Sequence, residues 1–93
     1  IVTPHLEPHN TSAWAQYTVQ VPNRETLQEQ LKQAGIPTAV HYPIPLNEQP
    51  AYREPGGAAD TPIASRIAQQ VMSLPMGPDL ATEDVVRIVG ELK

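Results

Sequence analysis

The sequence contains no cysteine and no phenylalanine, one tryptophan, and six lysines and arginines in 93 residues. Without cysteine there is neither a disulfide framework nor a cysteine-based zinc module, and the absence fits a cytosolic, cytoplasmic protein. Ten acidic side chains against six basic ones give a formal net charge of −4. That balance offers no cationic field to phosphate backbones or anionic membranes, and the cations are scattered, so nucleic acid is not an expected partner. No apolar run approaches the roughly 20 residues that span a bilayer, so no membrane partner is expected either. The first residues have no basic n-region or apolar h-region of a signal peptide. Heptads and collagen triplets are equally absent.

What the chain does have is proline. Its 11 prolines and 5 glycines stay below the roughly 25–30% that marks low complexity, and 40% apolar with 17% charged residues is a globular balance. The proline excess implies many fixed turns and short elements. A chain of 93 residues makes one small domain with a thin core. It opens within a strand-like Ile1-Val2-Thr3, which reads as a cut end.

Residues 1–12 hold two prolines and two histidines and read as an ordered loop. Trp14 to Val21 alternates, with Ala15, Tyr17, Val19 and Val21 on one face, and predicts a half-buried strand stopped by Pro22. Asn23 is a helix cap, and Leu27, Leu31 and Ala34 form a stripe that Gly35 terminates, so Arg24–Ala34 is an amphipathic helix. Ile36 to Tyr42 has the composition of a second strand. Pro43 to Thr61 is a long proline-punctuated loop, of the kind that tends to carry function. Asp60 or Thr61 caps a second helix with Pro62 at its first position and a buried stripe of Ile63, Ala64, Ile67, Ala68 and Val71. A strand at Met72–Met76 follows. A last helix, capped by Thr82, buries Val85, Ile88, Val89 and Leu92. The order β-α-β-loop-α-β-α predicts a small α+β fold, a three-stranded sheet with helices packed on one face.

His41 and Tyr42 end the predicted second strand, where side chains are well placed to meet a ligand. The imidazole can donate to a phosphate or a sugar hydroxyl, and the phenol offers a flat ring. The competing reading is that both residues pack or cap the sheet edge. His5, Glu7 and His9 imitate a metal site but lack a further ligand. Asp79, Glu83 and Asp84 are explained by helix capping. There is no phosphate-binding glycine loop, no nucleophile elbow and no cysteine nucleophile. Ser12, Ser65 and Ser73 have no adjacent base by local motif. Trp14 reads as a packing residue. These residues support an α+β domain with one chemically interesting strand end. They leave open a stand-alone, non-catalytic ligand-binding or interaction module of ferredoxin-like topology.

The stretch from Gly35 through His41-Tyr42-Pro43-Ile44-Pro45-Leu46-Asn47 to Tyr52 resembles the C-terminal part of the DegT/StrS-type nucleotide-sugar aminotransferases. Thr11–Tyr17, Val71–Met76 and Pro78-Asp79-Leu80 agree with that family in order and spacing. The combination of Ala13–Tyr17 with His41–Asn47 is most like the enzymes acting on UDP-2-acetamido-2-deoxy-3-oxo-glucuronate, which serve lipopolysaccharide O-antigen synthesis. The sequence departs from the wider family at Asn47 and Ala15, where many relatives have histidine. The resemblance implies the aspartate-aminotransferase fold, with residues 1–93 as its C-terminal small domain. It implies pyridoxal 5′-phosphate as cofactor of the full-length enzyme, glutamate as amino donor, a UDP-linked 3-oxo sugar as acceptor, and a homodimer. It makes His41, Tyr42 and Asn47 the expected substrate-binding residues. Lys32, on the polar side of a helix, and Lys93, at the end, are not credible cofactor lysines. The chain alone is therefore expected to contain no catalytic residue, to bind no cofactor and to be inactive.

Overall fold

The computed structural model describes residues 1–57 and 59–93. It contains β1 (Tyr17–Gln20), α1 (Arg24–Gln33), a 3-10 turn at Leu46–Glu48, α2 (Pro62–Gln70), β2 (Val71–Leu74) and α3 (Thr82–Glu91). The fold is α+β: three helices and a two-stranded antiparallel sheet.

β1 pairs with β2 in the register Tyr17 to Leu74, Thr18 to Ser73, Val19 to Met72 and Gln20 to Val71. The predicted first strand began three residues earlier. Trp14 takes a left-handed φ of 47°, which breaks the extended run. The predicted strand over 36–42 is a correction of substance. Only Ala39 pairs there, exchanging its N–H and C=O with those of Ser73 at 3.2 and 2.7 Å. Pro37 has no N–H to extend the ladder, so the third strand shrinks to a single bridge. On the opposite edge Val2 makes a similar bridge to Gln20, with both hydrogen bonds at 2.9 Å.

Helix α1 ends as its sequence dictates. Gly35 has a φ of 76°, its N–H reaches the Lys32 carbonyl, and the Ile36 N–H reaches the Leu31 carbonyl at 2.8 Å. This is the paired C-terminal motif that glycine permits, and Leu31 and Ile36 supply its apolar contact in the core. The core consists of Val19, Val21, Leu31, Ile36, Met72 and Ile88, with Leu27, Ala34 and Leu92 packed around it. Helices α1 and α3 therefore cover the sheet face that carries Val19 and Met72.

Several helix expectations need correction: Asn23 makes no side-chain cap on α1, and Val85 and Val89 on α3 are 43% and 45% exposed rather than buried. Ile63 is 66% exposed, so the buried side of α2 is narrower than its apolar pattern and centres on Ala68. Ala81, not Thr82, occupies the cap position of α3, and Thr82 is its first helical residue. The long loop falls at 43–61 as expected. Its Ala58 lies outside the described residues.

Candidate functional site

The Ala39 bridge fixes where the chain leaves the sheet, and His41 follows two residues later at the edge of β2. Ser73 sits behind it and is only 3% exposed. Because Ser73 spends both backbone groups on Ala39, it faces Thr18 as a non-hydrogen-bonded cross-strand pair, in which side chains approach most closely. The Thr18 and Ser73 hydroxyls are 2.9 Å apart, and the Ser73 hydroxyl lies 3.4 Å from His41 Nδ1. The Ser73 hydroxyl thereby engages the His41 ring at Nδ1, while the residue itself stays exposed. The hydrogen bond at one ring nitrogen fixes what the other can do.

Tyr42 is 71% exposed, and its ring meets that of His41 edge-on at 5.5 Å between centroids. The peptide bond between the two is cis. Together they form an exposed imidazole–phenol pair at the mouth of the loop, able to hydrogen-bond a phosphate or hydroxyl and to stack on a flat ring.

Asn47 lies on the 3-10 turn and is engaged across the loop. Its Nδ2 donates to the Ala59 carbonyl at 2.8 Å and to the Thr61 hydroxyl at 3.1 Å. Thr61 thus uses its hydroxyl on Asn47 and makes no side-chain cap to α2. Glu48 accepts a hydrogen bond from the Ser65 hydroxyl, which ties the same turn to α2. The structure brings His41 and Tyr42 together and gives Asn47 a separate position within the loop.

Sequence reasoning did not find Thr18 and Ser73 as companions of His41. They are 55 residues apart, and only the strand register unites them. The available signal was a lone threonine and a lone serine on the polar alternation of two predicted strands. Of the other candidates, His5 Nε2 lies 3.2 Å from Glu7 Oε1 with both side chains exposed. Among the described residues no three His, Cys, Asp or Glu side chains converge as metal ligands. No helix among them is long and apolar enough to cross a membrane.

The residues present do not fit a pyridoxal phosphate anchor. Lys32 projects from α1 with its side chain 80% exposed, 3.9 Å from Glu29, and Lys93 is the final residue. A Schiff-base lysine is enclosed and desolvated.

Comparison with known proteins gives these features a family context. The DegT/DnrJ/EryC1/StrS aminotransferase family matches residues 1–93. The UDP-2-acetamido-2-deoxy-3-oxo-D-glucuronate aminotransferase of Pseudomonas aeruginosa is 52% identical over 92 residues, which cover 99% of this chain and 25% of that protein. The dTDP-3-amino-3,4,6-trideoxy-alpha-D-glucose transaminase of Streptomyces venezuelae is 34% identical over 97% of the chain and 24% of its own length. Among solved structures, a DegT DnrJ EryC1 StrS aminotransferase from Brucella abortus superposes with a TM-score of 0.85 at 38% identity, covering 98% of this chain and 25% of that one. The chain spans about a quarter of the length of the curated relatives it matches.

Proposed function

We propose that this chain, which belongs to the DegT/DnrJ/EryC1/StrS aminotransferase family, is the C-terminal small domain of an enzyme that aminates a UDP-linked 3-oxo sugar. Glutamate is the proposed amino donor, and bacterial O-antigen or related polysaccharide synthesis the proposed setting. The observation that carries this reading is the 52% identity, running almost end to end, with an aminotransferase for a UDP-3-oxo-glucuronate.

In this proposal the chain contributes recognition of the sugar nucleotide. His41 Nε2 donates a hydrogen bond to the diphosphate or a sugar hydroxyl, while Ser73, backed by Thr18, holds the ring from behind. The exposed Tyr42 ring lies beside it and supplies a stacking face. Asn47 is the third proposed contact. Its amide hydrogens are held by Ala59 and Thr61, so reaching a substrate requires it to give up that clamp. Pyridoxal phosphate, in the complete enzyme, supplies an electron sink for the nitrogen transfer. Its anchor belongs to other parts of the polypeptide, because neither Lys32 nor Lys93 can serve.

The test is a chimera in which residues 1–93 replace the matching quarter of the 52%-identical relative. Transamination of the UDP-3-oxo sugar by the chimera, and its loss of sugar affinity on His41→Ala, are the expected results. A soluble, cofactor-loaded chimera without activity would count against the assignment.

A further inference from the structure

Among the described residues Ser73 is the one polar residue that is buried, at 3% exposure. Its position in β2 does not call for a hydroxyl. The bridge to Ala39 uses only the Ser73 N–H and C=O, at 2.7 and 3.2 Å, and an alanine or valine would make it equally well. A buried hydroxyl has to find its partners inside the protein. Ser73 Oγ has two, Thr18 Oγ1 at 2.9 Å and His41 Nδ1 at 3.4 Å.

Counting protons decides which way these bonds run. Each hydroxyl has one hydrogen to give, and a neutral imidazole has one N–H and one lone pair. If Thr18 donates to Ser73 and Ser73 donates to Nδ1, both hydroxyl hydrogens are used and the imidazole proton resides on Nε2. If His41 donates from Nδ1, Ser73 must turn its hydrogen to Thr18. The Thr18 hydrogen then has no acceptor among the described residues, because Ser73 is the only hydrogen-bond partner of its hydroxyl there. The first arrangement strands no donor and is the favoured one.

We infer that Ser73 is a positioning residue, whose hydroxyl donates to His41 Nδ1 and holds the imidazole in the tautomer protonated at Nε2. The bond direction stands on this geometry alone, whereas its functional value rests on the proposed role of His41 in recognising the sugar nucleotide. In that role the substrate group facing His41 is a hydrogen-bond acceptor, a diphosphate or hydroxyl oxygen. A ring already in the donor tautomer meets it without first having to change tautomer, so no affinity is lost to an incompetent population. Thr18 completes the chain by giving Ser73 a donor to accept from, which leaves the Ser73 hydrogen free for the ring.

The experiment is a tautomer measurement by ¹⁵N NMR on the chain labelled at histidine, at a pH of about 8.5, where an ordinary imidazole is neutral. The averaged Nδ1 and Nε2 shifts give the ratio of the two forms, and the exposed His9 is the internal reference. His41 should favour the Nε2 proton about fivefold more than His9 does, the weight of one ordinary hydrogen bond. Ser73→Ala should bring the two histidines within about twofold of each other. Thr18→Val should keep the bias, because Nδ1 is then the only acceptor left for the Ser73 hydrogen. A purely structural Thr18–Ser73 pair would respond alike to both changes, since each breaks the same cross-strand bond. Unshifted amide resonances of Val19 and Met72 show that the sheet survives, and if Ser73→Ala fails to fold, the parent and Thr18→Val still decide. Equal ratios for His41 and His9 in the parent would overturn the inference, as would an excess of the Nδ1 proton or a bias that persists in folded Ser73→Ala. In the chimera described above, Ser73→Ala should raise KM for the UDP-sugar about two- to threefold at unchanged kcat, less than His41→Ala does. An unchanged KM beside a raised one for His41→Ala would overturn the positioning role. If His41→Ala itself leaves KM unchanged while the tautomer bias is present, the reading of His41 as a sugar contact fails and the bond direction stands.

Discussion

From Tyr17 to Ile36, and again at Val71–Leu74, structure is made by burial. Leu31 and Met72 are fully enclosed, Val19 and Val21 nearly so, and the backbone hydrogen bonds are spent inside α1 and between the two strands. From His41 to Thr61 almost none of this holds. Tyr42, Ile44, Leu46 and Tyr52 stay exposed, and the segment is held by short turns, the Asn47 clamp and the Glu48–Ser65 contact. The first region is rigid because removing any part opens the core. The second is shaped by a few polar bonds, each worth about 0.5–1.5 kcal/mol, and can rearrange without unfolding the rest. Candidate binding groups stand where the chain passes from one regime to the other, on a bridge that anchors Ala39 and an exposed imidazole two residues on.

The largest expected effect lies in the first region. Leu31→Ala should cost about 2–5 kcal/mol, which for so thin a core approaches the whole stability of the chain. Loss of a cooperative thermal transition by circular dichroism would show it, and a variant melting within a few degrees of the parent would break the contrast. In the second region Asn47→Ala should cost about 1 kcal/mol, felt locally. Amide exchange should speed up over 44–61 while the amides of β1 and β2 keep their protection. Uniform acceleration over the whole chain would show that the loop is part of the core's cooperative unit. The smallest effect is expected at Ile63, which is apolar in pattern but open to solvent. Ile63→Ser should change stability by no more than about 0.5 kcal/mol in urea titration, and a larger loss would restore the full buried stripe of α2.

The same contrast explains what could be read in advance. Helix α1 was legible in its face and its stop, because Leu27, Leu31, Ala34 and Gly35 encode both within one stretch, although Asn23 makes no side-chain cap at its start. β1 was legible in type but not in length, since alternation cannot reveal that Trp14 turns left-handed. The 36–42 segment has strand composition, yet strand pairing is a property of two segments, and Pro37 and a single bridge to Ser73 left it without a ladder. His41 and Tyr42 were visible as chemistry at an element's end. Their support from Ser73 and Thr18 was not, because it depends on a register fixed 55 residues apart. The apolar stripes of α2 and α3 were legible as faces but not in their extent of burial, since periodicity does not say what lies opposite, and Ile63, Val85 and Val89 stay exposed.

The proposal that this chain supplies recognition of the sugar nucleotide while the chemistry is anchored elsewhere is tested most directly by steady-state kinetics of the chimera with His41→Ala. Loss of one charge-assisted hydrogen bond should raise KM for the UDP-sugar about tenfold, leaving kcat and the KM for glutamate within about twofold. An unchanged KM for the sugar, or an equal loss against both substrates, would contradict the claim.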